Sequence, residues 1–118
     1  MDGIRDQDVI TALRRQMTIA AARQVASAGN LANAETPGYE AMEPTFAEAL
    51  ASRMGADPAA LSIGMQPVQG LTPRRDGNTV QVDRELLAMG RAGGDFAAAQ
   101  TALAAKFRLV RYAINEGR

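Results

Sequence analysis

NLANAETPGYEA, residues Asn30 to Ala41, decides how this chain is organised. Upstream of it an alanine-rich pattern of helical period runs without a break; inside it, polar residues interrupt that pattern and Pro37, Gly38 and Tyr39 follow in succession. Pro37 lacks a backbone N–H and biases Thr36 away from helical geometry, so the spacing predicts a helix that ends near Ala34 or Glu35. Gly38 permits a sharp change of direction. Asn30, Asn33 and Thr36 can bond to carbonyls or to the returning chain, and Tyr39 and Phe46 can anchor the departing segment against the helices.

Working outward, the upstream helix is expected over residues 6–35. Ile10, Met17, Gln24 and Leu31 recur every seven residues, with Leu13, Ala20 and Ser27 between them at alternate spacings of three and four. Asp6 and Asp8 suit its positive end. A second helix is expected over residues 83–116, with Asp83 as N-cap and Glu85 in the first turn. Its face carries Met89, Phe96, Leu103 and Val110, with Leu86, Gln100, Phe107 and Ile114 as the companion row. Gly93 and Gly94 weaken the middle by about 1 kcal/mol each relative to alanine, which predicts a bend, fraying or close backbone packing there.

The helical period lapses across 36–82, where prolines and glycines recur. Leu61, Ile63 and Met65 alternate like a strand. Arg75 to Thr79 reads as a tight turn in which Gly77 and Asn78 tolerate positive φ, with Val80 and Val82 at strand spacing after it, so a small β-hairpin is expected. Much of 47–75 is expected to be mobile. The fold class is therefore mainly α: long terminal amphipathic helices pairing in a coiled-coil-like bundle, with an irregular middle containing a small hairpin. At 118 residues this is a single unit.

Two arrangements satisfy the pattern: a helical hairpin closed within a monomer, parallel or antiparallel, or terminal faces that pair with each other and with neighbouring subunits. Hydrophobic residues are 47% of the chain but aromatics only 4%, so the apolar surface is largely alanine. The runs Ala20–Ala22 and Ala97–Ala99 spread small surfaces around each helix and favour close neighbours on several sides.

Composition excludes much chemistry. There is no histidine and no cysteine, which removes His-based triads, thiol nucleophiles and the common zinc sites. The acidic pairs Glu40 with Glu43 and Asp83 with Glu85 lie at element boundaries, where solvated acids or helix caps are ordinary, so neither a metal nor a catalytic carboxylate pair is expected. Thirteen basic residues balance thirteen acidic ones, giving no reason to expect nucleic acid, and Arg74-Arg75 reads as a solvated patch. GNLANAETPG lacks the P-loop lysine and the Rossmann spacing, so no phosphate or nucleotide cofactor is expected. No stretch has the length and apolarity of a membrane span, and the N-terminus lacks the basic-then-apolar plan of a cleavable signal peptide.

The residues quoted first carry a resemblance. The chain resembles the flagellar axial (rod and hook) proteins, and among them the FlgB-type proximal rod proteins of the basal body. These share a motif, Asn-Leu/Ile-Ala-Asn-x-x-Thr-Pro-Gly-Tyr, matched by Asn30, Leu31, Ala32, Asn33, Thr36, Pro37, Gly38 and Tyr39. Asp76 to Leu86 (DGNTVQVDREL) and Ala104 to Ile114 (AAKFRLVRYAI) resemble the segments that open and close the C-terminal helix of that family. Where such chains often place asparagine and tyrosine four apart, this one has Ala92 and Phe96.

The resemblance implies a structural, non-enzymatic subunit of the periplasmic rod. It would pass unfolded through the flagellar type III export apparatus without a cleavable signal peptide, then pack its terminal helices against other rod proteins and against the MS-ring or export-gate base. The packing face would comprise Ile10, Leu13, Met17 and Ala20 with Phe96, Leu103, Phe107, Val110 and Ile114. The competing reading is a small helical adaptor or export chaperone that binds a client.

Overall fold

A computed structural model of the chain describes residues 5–46 and 63–116. Its elements, in chain order, are helix α1 (Asp6–Ala32), strand β1 (Met42–Phe46), strand β2 (Ile63–Pro67) and helix α2 (Val82–Glu116). The protein is mainly α-helical: the two long helices pack against each other and a small antiparallel hairpin sits in the middle. The pair is antiparallel, since Lys106 Nζ meets the Asp6 carboxylate at one end while Gly93 lies against Gln24 further along. At 1.5 Å per residue α1 is about 40 Å long and α2 about 52 Å, so α2 outruns its partner in a body 68 Å in its longest dimension.

Small side chains set the spacing of this pair. Ala20, Ala26, Ser27 and Asn30 are the buried residues of α1, and Glu85, Ala92 and Ala99 those of α2. Both helices obey the expected three-and-four spacing, and Met89, Phe96, Leu103 and Val110 are half-buried beside the inner row. The companion row differs. Within one chain the inner row of α2 is Glu85, Ala92, Ala99 and Lys106; Leu86, Gln100, Phe107 and Ile114 face outward. Alanine lets the backbones approach closely, which the larger residues would prevent. Helix α2 runs unbroken through Gly93 and Gly94. A Cβ at Gly93 would sit 3.0 Å from the Gln24 side-chain amide nitrogen, whereas none at Gly94 would meet anything within 4 Å; the neighbour at Gly93 is the end of a side chain rather than the expected close-packed backbone.

Three boundary readings are corrected. The hairpin does not use Val80 and Val82. It pairs β1 with β2, with Met42 opposite Pro67 and Phe46 opposite Ile63; Ile63 and Met65 are in a strand as expected, Leu61 lies outside the described residues, and residues 63–67 are regular. Pro44 hid β1, yet it falls where the alternation of an antiparallel ladder requires no inward N–H. Val80 is instead buried with Ala34 and Ala41 under Tyr39, Val68 and Leu71, and Val82 opens α2. Asp83 is therefore inside the first turn rather than the N-cap, with the Glu85 N–H donating to the Gln81 carbonyl one turn back. Among the described residues no helix is long and apolar enough to cross a membrane.

Candidate functional site: the junction and the apolar face

The stretch that ends α1 folds into a hook. After Ala32 the chain turns through Asn33–Gly38, with Asn33 N–H donating to the Gly29 and Asn30 carbonyls and Thr36 N–H to the Asn33 carbonyl. It then returns along the last turn of the helix. Asn30, fully buried, holds it there: its Nδ2 donates to the Met42 carbonyl at 2.9 Å, and its Oδ1 accepts from the Met42 N–H at 2.9 Å and from the Tyr39 hydroxyl at 3.3 Å. The carboxamide thus offers β1 the same donor and acceptor that a neighbouring strand would. Asn33 Nδ2 reaches back to the Gly29 carbonyl, and its Oδ1 accepts from Thr36 Oγ1. Gly38 has φ 74°, and its N–H donates to the Asp76 carbonyl at 2.8 Å.

That last bond introduces the second half of the junction, the segment from Arg74 to Val80. Asn78 is 0% exposed. Its Nδ2 donates to the carbonyls of Asn33, Ala34 and Thr36 at 2.9, 3.2 and 2.8 Å, and its Oδ1 accepts from the Val80 N–H at 2.7 Å. Two hydrogens thereby serve three carbonyls of the turn that follows α1, each of which also accepts a second donor: the Thr36 N–H, the Arg74 guanidinium and the Tyr39 N–H. The neighbouring Gly77 has φ 84°, a left-handed conformation that calls for glycine, while a Cβ there would make only ordinary contact, 3.4 Å from the Gly38 Cα. Asn78 itself does not adopt positive φ.

Arg74, read from sequence as solvated, is also part of the tie. Its guanidinium donates to the Val80 carbonyl at 2.8 Å and to the Ala34 carbonyl. Thr79 completes it: its N–H donates to the Tyr39 carbonyl and its Oγ1 accepts from the Ala41 N–H at 2.8 Å. Sequence reasoning missed Arg74, Asn78 and Thr79 as junction residues; the signal for Asn78 and Thr79 was their place in the stretch Asp76 to Leu86 that carries the resemblance, and Arg74 lies just outside it.

Glu85 is a further correction. It was expected as a surface acid or cap, but it is 1% exposed, with Arg84 Nη1 donating to its Oε1 at 2.9 Å. Removing Arg84, itself partly exposed, would leave the buried Glu85 carboxylate without its partner. Among the described residues no cluster of three or more acidic residues could hold a metal ion.

The sequence-identified motif residues lie together at this junction: Asn30, Asn33, Thr36, Gly38 and Tyr39 are hydrogen-bonded there, Leu31 is half-buried, and Ala32 and Pro37 are exposed. The packing-face residues divide. Ala20 is buried; Ile10, Leu13, Met17, Phe96, Leu103 and Val110 are half-buried; Phe107 and Ile114 are 48% and 64% exposed. Leu109 and Tyr112 are exposed beside them, on the part of α2 that continues beyond the Lys106–Asp6 contact. An apolar groove of 790 Å³ opens along the helix pair, lined by Ile10, Met17, Val25, Phe96, Leu103 and Phe107 among others.

No protein-family model matches the chain. Curated relatives do. It is 37% identical over a 90-residue alignment to the flagellar basal body rod protein FlgB of Escherichia coli (strain K12), and equally to that of Shigella flexneri. The alignment covers 58% of this chain and 65% of each relative, a little under two thirds of the relatives' own length. Over that aligned segment the chain is similar to these two flagellar basal body rod proteins.

Proposed function

We propose that this protein is a non-enzymatic structural subunit of the proximal rod of the bacterial flagellar basal body. Its helix pair packs beside those of other rod proteins, connects to the MS-ring or export-gate base, and transmits torque in the periplasm after delivery by the flagellar type III export apparatus. The observation that carries this reading is the pairing of rod-protein similarity with an apolar helix end, Phe107 to Ile114, that one chain leaves exposed. An isolated amphipathic helix gains most of its stability from covering its apolar face, and a bundle of neighbours supplies that cover. Many lateral contacts also spread an applied load, while the junction fixes where each helix begins and ends.

The test is replacement of the resident proximal rod subunit by this chain in a flagellated host, with motility and purified basal bodies as readouts. Density assignable to the chain in the rod supports the proposal. Normal basal bodies that exclude it, with the chain retained in the cytoplasm bound one-to-one to a client, would instead favour the adaptor.

A further inference from the structure

The turn in the second half of the junction commits the chain to a labile pair of residues. Gly77 has φ 84°, which calls for glycine. Asp76 before it is held at both ends: its main-chain carbonyl accepts the Gly38 N–H at 2.8 Å, and its Oδ1 accepts the Asn78 N–H at 3.0 Å and lies 4.0 Å from Arg74 Nε. Replacing Asp76 frees the residue whose carboxamide closes the junction, and replacing Gly77 strains the turn. The fold therefore requires Asp-Gly here.

Aspartate before glycine has a reaction open to it that needs only water. The Gly77 nitrogen attacks the Asp76 Cγ; the amide proton and the hydroxyl of the protonated carboxyl leave as water, and the new N–Cγ bond closes a succinimide. Glycine has no side chain to crowd the attacking nitrogen. Water then reopens the ring. Cleavage of the N–Cγ bond restores aspartate. Cleavage between the nitrogen and the Asp76 main-chain carbonyl carbon leaves isoaspartate, whose backbone runs through Cβ and Cγ and is longer by one methylene.

The folded turn keeps both reactants from this step. The Gly77 N–H donates to the Arg74 carbonyl at 2.9 Å, so the proton that must leave is held, and the Arg74 N–H donates to the Asn78 carbonyl at 2.9 Å, closing the turn from its other side. The carboxylate is engaged one residue further on, at the Asn78 N–H. The Asp76 side chain is 38% exposed, so hydrogen bonding rather than exclusion of water separates the reactants. We propose that Asp76–Gly77 is a site of spontaneous isoaspartate formation gated by the junction, the reaction running only in chains whose junction has opened. The product takes the carbonyl that accepts the Gly38 N–H out of the main chain and lengthens the path to Asn78, so the junction does not re-form around it.

The test ages the full chain in parallel in buffer and in guanidinium chloride, then separates the tryptic peptides carrying residue 76 and assigns them by fragmentation. The change conserves mass, which distinguishes it from loss of ammonia at Asn78. Isoaspartate at residue 76 is expected to accumulate at least about tenfold more slowly in the folded chain. In denaturant its rate is expected to match that at Asp2, which also precedes a glycine. Asp76→Glu, which would need a larger ring, is expected to give none of this product in denaturant. The isomerised chain, purified and returned to buffer, is expected to lose hydrogen-exchange protection at the Gly38 amide. Equal rates in the two conditions, no isomerisation in denaturant, the same product from Asp76→Glu, or an isomerised chain with Gly38 still protected would each overturn the proposal.

Discussion

Asn78 has the most consequence for its size. One carboxamide, wholly out of solvent, binds the carbonyls that end α1 and the N–H that leads into α2. Removing it strands the Val80 N–H and takes one donor from each of three carbonyls, which keep the Thr36 N–H, the Arg74 guanidinium and the Tyr39 N–H; a buried group left unsatisfied costs more than its bond gained. Asn78→Ala is expected to lower stability by about 3 kcal/mol, read from urea unfolding followed by far-UV circular dichroism. Asn78→Asp, nearly isosteric, is expected to do no better, because a carboxylate has no proton to give the three carbonyls and sets a negative charge against them. Retention of wild-type stability by the Asp variant would show that shape rather than donation holds the junction. Residue chemistry explains why Asn30 was readable and Asn78 was not. Asn30 stands at the end of a periodic helix, where an amide has obvious unsatisfied partners; Asn78 sits in Asp-Gly-Asn, whose local signal is turn conformation, and its partners lie more than forty residues upstream.

At the scale of elements, the helices were legible because apolar spacing of three and four survives any tertiary context. Which row faces inward was not. Hydropathy ranks Leu86, Phe107 and Ile114 above Glu85, Ala92 and Ala99, yet closeness of approach selects the smaller residues. Volume decided it. Ala99→Leu is therefore expected to force the helices apart and cost about 2 kcal/mol, whereas Gly94→Ala, whose Cβ meets nothing, is expected to stabilise by about 1 kcal/mol. Thermal unfolding of the two variants separates these directions; stabilisation by Ala99→Leu would place the helix seam elsewhere. The hairpin was half legible. Ile63 and Met65 alternate openly, but β1 contains a proline that ordinarily argues against a strand, and only the ladder geometry shows why it is tolerated there.

For the whole molecule, unequal helix lengths make the two ends different. One end is tied by the junction, with donors and acceptors largely matched; the other is the projecting part of α2 with Leu109, Tyr112 and Ile114 in solvent. Ile114→Asp is expected to leave the unfolding free energy of the isolated chain within about 0.5 kcal/mol of wild type, because the site is exposed. In the proposed rod it would bury an unpaired carboxylate, so motility and incorporation into basal bodies are expected to fail, while Arg91→Ala, on the exposed side of α2, incorporates normally. Equal incorporation of both variants would remove the helix end from the packing surface.

The ladder has one more result. Phe46 and Ile63 face each other across it, so the points where the polypeptide departs from the hairpin and rejoins it are neighbours in space. Extra sequence spliced between them starts with matched anchorage, and the entropy of closing a longer excursion rises only logarithmically with its length. The molecule therefore has a natural graft point for an epitope or reporter, positioned so that the grip of Asn30 and Asn78 is left untouched.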